Sequence, residues 1–143
     1  MAQYQERRYA DIRVGDRASL SKTVTDDVVR AFADVTEDFN PLHLDPEFAA
    51  KSLFRERIAH GMLGAGLISA VLGTRLPGPN TIYLGQEMKF LAPVKIGDTI
   101  TAEVEVVEKI DKPKILKLKT TVRNQAGTVV IEGLATVKKW EAA

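Results

Sequence analysis

Cysteine is absent from this 143-residue chain. That absence excludes thiol nucleophiles, thiolate metal ligands and disulfides together, and it fits a reducing cytoplasm. Neither sign of charge is in excess: 20 Lys and Arg against 19 Asp and Glu leave a formal charge of +1, with the basic residues scattered and no polybasic tail. The electrostatic footprint of a protein that binds nucleic acid or an anionic membrane is therefore missing. Long hydrophobic runs are lacking too. The longest, about Met62 to Leu72, is too short and too glycine-rich to span a bilayer, and the opening Met1–Arg8 has no apolar stretch after its charges, so no secretory signal is expected. Repeats, linkers and low-complexity segments do not occur. What remains, 45% hydrophobic and 27% charged residues, is expected to form one soluble, cytoplasmic domain over residues 1–143 with a core of its own.

Histidine is scarce, with two copies, and both stand in distinctive company. His43 ends the segment Asp38-Phe39-Asn40-Pro41-Leu42-His43, which sets a carboxylate and an imidazole five positions apart with Pro41 between them. Proline fixes its own φ and pushes the preceding residue away from the α region, so Asn40-Pro41 is expected to interrupt any helix here. Asp38 and His43 are then presented from a rigid, bent loop, an arrangement that suits two polar groups converging on one water. His60 opens His60-Gly61-Met62-Leu63, a glycine-marked entry into the most apolar part of the chain.

The periodicities around these motifs define an α+β order. Arg17 to Val24 reads as a first strand. Thr25 is a good N-cap for an amphipathic helix over 26–36, with Asp26 and Asp27 in its first turn and Val28, Phe32 and Val35 on its apolar face. Asp45-Pro46-Glu47 starts a short helix to about Ser52. From Gly61 to about Gly73, apolar residues cover most of a helix circumference, with Gly64, Ala65, Gly66 and Ala70 between them. Such a helix belongs inside the protein, and its small residues let a sheet lie close. Four strands follow, the alternation of Ile100, Ala102, Val104 and Val106 with Thr101, Glu103 and Glu105 being typical of one wet face. Asn124-Gln125-Ala126-Gly127 is a hairpin turn. The expected architecture is a curved antiparallel sheet packed around one central helix.

Each motif has two readings. A His and a carboxylate sharing a water can act as a general acid/base pair at neutral pH, because imidazole titrates there; alternatively Asp38 caps local backbone and His43 is a hydrogen-bonded loop residue. The N–H of Gly61, unpaired at a helix start, suits a carbonyl oxygen gaining negative charge, and a missing Cβ lets a ligand approach; alternatively Gly61 only starts the helix. Ser69, polar in the middle of the apolar helix, either bonds back to a carbonyl one turn earlier or donates to a functional carboxylate. No Gly-x-Ser-x-Gly surrounds it, so it is not read as a hydrolase nucleophile. The glycines at 61, 64 and 66 have the wrong spacing for a dinucleotide loop, and two histidines seventeen residues apart without cysteines give no zinc pattern.

Taken together, Asp38-Phe39-Asn40-Pro41-Leu42-His43-Leu44-Asp45, His60-Gly61-Met62-Leu63 and Ile82-Tyr83-Leu84-Gly85-Gln86 closely resemble the MaoC-like (R)-specific enoyl-CoA hydratases. The resemblance runs from about Val14 to the C-terminus and is nearest to short bacterial enzymes that supply polyhydroxyalkanoate synthesis. It implies a hot-dog fold, a homodimer with a continuous sheet, and acyl-CoA held near the dimer interface. It also implies Asp38 and His43 as catalytic pair, Gly61 as oxyanion donor and Ser69 as a supporting serine. No metal or redox cofactor is implied, CoA being part of the substrate. Thioester hydrolysis and a non-catalytic acyl-CoA-binding subunit are the alternatives on the same fold. One departure stands next to the motif: family members often have Ser-Gly before the aspartate, where this chain has Thr36-Glu37.

Overall fold

The computed structural model describes residues 3–142. A 3₁₀ turn, Tyr9–Asp11, leads into strand β1 (Arg17–Thr23), followed by helices α1 (Asp26–Thr36), α2 (Pro41–Leu44), α3 (Pro46–Ala50) and α4 (Gly61–Thr74). Strands β2 (Thr81–Phe90), β3 (Thr99–Ile110), β4 (Ile115–Arg123) and β5 (Val129–Lys139) complete the chain. The strands form one antiparallel sheet in the order β1-β3-β4-β5-β2.

The period-2 pattern decides which face of that sheet is dry. Ile100, Ala102, Val104 and Val106 of β3 are buried, and the register that pairs Val104 with Thr120 and Val106 with Leu118 continues this face into β4. Beyond Val106 a bulge at Val107 breaks the register and the apolar face ends. Helix α4 lies on the dry face, with Leu67, Ile68, Val71 and Leu72 in the same cluster as Leu116, Leu118, Ala135 and Val137. A Cβ on Gly64 would stand 2.7 Å from Ile131 Cδ1, so this glycine sets how closely α4 approaches β5. The fold is the hot-dog fold that the sequence implied: a sheet wrapped around a central helix. No helix among the described residues is long and apolar enough to cross a membrane.

Two expectations are corrected here. In α1 the buried residues are Val29 and Ala33, with Val28 and Phe32 half-buried, whereas Val35 is 82% exposed. At 100° per residue Val35 stands about 120° round from Val29, off the buried face. Helix α4 is also not enclosed all round. Met62, Gly66, Ser69 and Gly73, at i, i+4, i+7 and i+11, form an exposed stripe, because the sheet covers one side and no other described element covers the opposite one.

The departure at Glu37 has a structural consequence. Thr25 caps the start of α1, its Oγ1 accepting from Val28 N–H at 3.2 Å, but the other end is closed by Glu37 in the left-handed region, φ 63° and ψ 19°. A side chain there costs about 1 kcal/mol relative to glycine, and a carboxylate at a helix C-terminus opposes the dipole. Glu37→Gly is expected to raise the unfolding free energy by roughly 0.5–1 kcal/mol, measured by denaturant titration; a destabilised variant would show that other contacts hold this turn.

Candidate active site

The segment that carries Asp38 and His43 is built by two consecutive caps. Asn40 Oδ1 accepts from Leu42 N–H at 3.0 Å and Pro41 takes the first helical position, so α2 starts where a break was expected. Asp45 Oδ1 accepts from Glu47 and Phe48 N–H to start α3 in the same way. The bent-loop reading is therefore half right. Asp38 lies exposed on the loop after α1, whereas His43 sits buried on a single helical turn. Arg57 holds that turn against α1: its Nη2 donates to Asp26 Oδ1 at 2.6 Å and its Nε to the His43 carbonyl at 2.7 Å.

The local-cap reading of Asp38 also holds, since its Oδ1 accepts from Asn40 N–H at 3.3 Å. His43 Nδ1 lies 2.7 Å from the Ile58 carbonyl oxygen. A carbonyl only accepts, so Nδ1 carries the hydrogen and Nε2 presents its lone pair. One oxygen of Asp38 and one ring nitrogen each of His43 and His60 lie within 4.8 Å of one another. Two groups that hold a single water between them stand roughly 4.5–5 Å apart, so the spacing admits one water.

Beside this cluster is a cavity of about 510 Å³, walled mainly by apolar side chains including Leu63, Leu91, Val94 and Ile131, with His43, His60 and Gly61 at its polar end. Gly61 is the first residue of α4, and the His60 side chain makes no capping hydrogen bond. Gly61 to Gly64 line the cavity wall, and of this first turn Leu63 N–H is taken by the His60 carbonyl while no side chain among the described residues caps Gly61. A Cβ on Gly61 would meet the Phe90 ring at 2.8 Å, so the ring lies directly over this backbone.

Asp38, His43 and Gly61 are brought together. Ser69 is not: it is exposed on α4, eight residues or about 12 Å of helix beyond Gly61, and among the described residues no hydrogen bond joins it to Asp38. The triad of Asp38, His43 and His60 has the atom types of a metal site. Yet His43 Nδ1 and His60 Nε2 face carbonyl oxygens, and His60 Nδ1 is sealed from solvent. Among the described residues, the Asp38 carboxylate and His43 Nε2 are left without a protein partner at the cluster's centre, and a water fits between them.

Burial pushes the His43 imidazole below its ordinary value; the Ile58 carbonyl opposes this, His60 reinforces it, and the Asp38 carboxylate opposes it. A base must be unprotonated, and a lowered pKa keeps Nε2 free to more acidic pH. The acid limb of kcat/KM is therefore expected to fall with a midpoint below the ordinary imidazole value of about 6.5, read from a pH–rate profile of the free enzyme. A midpoint above that value would contradict the assignment of His43 as base.

Sequence reasoning gave His60 no role beyond opening α4. Its ring centroid lies 3.9 Å from that of His43, tilted by 31°, and the Phe32 ring meets its other surroundings edge-on at 4.9 Å. The signal available was the scarcity of histidine itself.

A family model for the MaoC like domain matches residues 13–128. The (R)-specific enoyl-CoA hydratase of Rhodospirillum rubrum is 51% identical over 129 residues, covering 90% of this chain and 89% of that protein. R-hydratase PhaJ1 from Pseudomonas aeruginosa, solved unliganded, superposes with a TM-score of 0.92 at 45% identity, over 99% of this chain and 90% of that one. The (R)-hydratase from Aeromonas caviae, described as involved in PHA biosynthesis, gives 0.86 at 48% identity, over 90% and 97%. With a domain match over most of its length and relatives near half identity, this chain belongs to the MaoC-like domain family.

Proposed function

We propose that this chain is an (R)-specific enoyl-CoA hydratase, a hydro-lyase that reversibly adds water to trans-2-enoyl-CoA to give (R)-3-hydroxyacyl-CoA. The observation that carries the reading is the approach of the Asp38 carboxylate to the His43 and His60 rings, ligand atoms within 4.8 Å of one another, beside an apolar cavity that His43 and Gly61 at the uncapped start of α4 help to line. The relatives with this activity extend over nearly all of both chains.

In this mechanism Asp38 and His43 hold one water. His43 Nε2 takes a proton as the water oxygen bonds to C3, and the C2–C3 π electrons move onto the thioester as an enolate. The Gly61 N–H donates to the enolate oxygen, where charge develops. The proton then passes from the pair to C2, on the face that water entered, so addition is syn. The apolar walls accommodate the acyl chain. No metal or redox cofactor takes part, and CoA is a portion of the substrate.

Assembly as a homodimer belongs to the same reading. Strand β2 ends the sheet and leaves one side of its backbone unpaired, with Ile82, Tyr83 and Leu84 exposed on it, a surface that a second copy would cover. The stripe of α4 that carries Met62 and Ser69 is open in the single chain, and a supporting role for Ser69 would have to be exercised with the partner in place. Supply of a polyhydroxyalkanoate pathway in the cytoplasm is the proposed setting, by analogy with the Aeromonas caviae protein. Incubation with trans-2-enoyl-CoA and a thiol reagent tests the activity: enoyl absorbance should fall without release of free thiol. Thiol release would indicate a thioesterase, and no change in either signal a binding subunit. Light scattering should give about twice the 15.7 kDa chain mass; a fully active monomer would remove the interface from the proposal.

A further inference from the structure

His60 is buried, yet no step above uses it. Its two nitrogens are in opposite situations. Nε2 lies 3.0 Å from the main-chain carbonyl oxygen of Asp38, so Nε2 carries the hydrogen and Nδ1 the lone pair. That lone pair is buried without a partner, which is unfavourable for any polar atom. A phenyl ring would fill the same space against Phe32 and His43 without leaving an acceptor unpaired. What the imidazole adds is one N–H directed at Asp38.

The place where this bond ends gives it consequence. Asp38 follows the left-handed Glu37 on an exposed loop, and its other described hydrogen bonds, to Thr36 at the end of α1 and to Asn40, reach no further than two residues along the chain. The bond from His60 is the one among the described residues that ties the Asp38 main chain to a segment distant in sequence. The same ring stacks on His43, and the residue is followed directly by Gly61. One residue thus touches both members of the pair with its side chain and is joined by its own peptide bond to the oxyanion donor.

We propose that His60 is a positioning residue: held as the Nε2–H tautomer, it fixes the separation of Asp38 and His43 and keeps both in register with the Gly61 N–H. This inference rests on the hydratase reading. It makes His60 a fourth member of the site that acts through Asp38 and His43 and does not touch the reacting atoms.

Two variants separate the N–H from the ring. His60→Phe keeps an aromatic ring, slightly larger than imidazole, against His43 but loses the donor; kcat is expected to fall by roughly 10–100-fold with KM changed less than about threefold, the size of loss that small misplacement produces. Its melting temperature should equal or exceed that of the natural protein, since an unpaired buried acceptor is removed. His60→Gln, whose amide N–H can reach the Asp38 carbonyl, should regain most of the lost kcat. Wild-type kcat in His60→Phe, or equal impairment in both variants, would overturn the proposal. Should neither variant fold, nitrogen NMR of the histidine-labelled natural protein decides. With two histidines in the chain, the spectrum should show opposite tautomers, Nδ1–H for His43 and Nε2–H for His60. A protonated Nδ1 on His60 at neutral pH would overturn the proposal. Failure of the natural protein to hydrate enoyl-CoA would instead overturn the hydratase reading, a separate outcome from the tautomer result.

Discussion

Asp38→Asn is expected to lower hydration turnover by ~10²–10⁴ with the fold intact, and His43→Gln to do the same. An asparagine retains the Oδ1 that accepts from Asn40 N–H, so the loop keeps its cap. It loses the negative charge that holds the water and stabilises the imidazolium formed when His43 takes the proton. A glutamine at 43 sets an amide nitrogen about where Nε2 stands, gives up the Nδ1 bond to the Ile58 carbonyl, and offers no basic nitrogen. If the two groups act on one water as proposed, the double variant should be little worse than the worse single one. Steady-state kinetics with circular dichroism as the folding control checks this. Near-natural turnover in either single variant would contradict the pair.

A comparable loss is expected from removing one N–H donor. Gly61→Pro removes the N–H assigned to the oxyanion, and the local backbone can accept it. Gly61 is the first residue of α4, where proline is tolerated, and His60 before it has φ −60° and ψ 133°, the extended conformation that precedes proline readily. Turnover should fall by ~10²–10³, the usual effect of losing one such donor. Gly61→Ala is the control, because it adds the same Cβ against the exposed Phe90 ring while keeping the N–H. If alanine lowers turnover as much as proline, crowding by Phe90 is responsible and the oxyanion role of this N–H is refuted.

Much of this fold could be read from period and punctuation. Thr25 with Asp26 and Asp27 marked the start of α1 at the residue where it begins. The alternation in β3 named its buried face, and the turn at 124–127 has Asn124 Oδ1 accepting from Ala126 and Thr128 N–H, with Gly127 at φ 81°. These are local signals. The errors arose where a local signal had two meanings or where a neighbour decided. Pro41 was read as a breaker, although a proline preceded by Asn at an N-cap is equally a helix start. Val35 counted as apolar face because spacing alone does not say which of two adjacent stripes meets the core. The apolar composition of α4 gave no sign that one stripe, with Ser69 on it, would stand open, since that depends on what other elements cover.

The site was legible to a similar extent. Asp38, His43 and Gly61 are tied together by motif, and they meet in space. The stacking of His60 on His43 and its bond to Asp38 join positions 17 and 22 residues apart in sequence, which no periodicity encodes. The cavity wall at Leu91–Val94, from the connection between β2 and β3, was invisible for the same reason.

The most direct test of the central claim is the configuration of the product. The natural protein is given trans-2-enoyl-CoA, and the hydrated thioester is offered separately to 3-hydroxyacyl-CoA dehydrogenases of R and of S specificity. Oxidation by the R-specific enzyme alone is the expected result. Oxidation by the S-specific enzyme would contradict the claim outright.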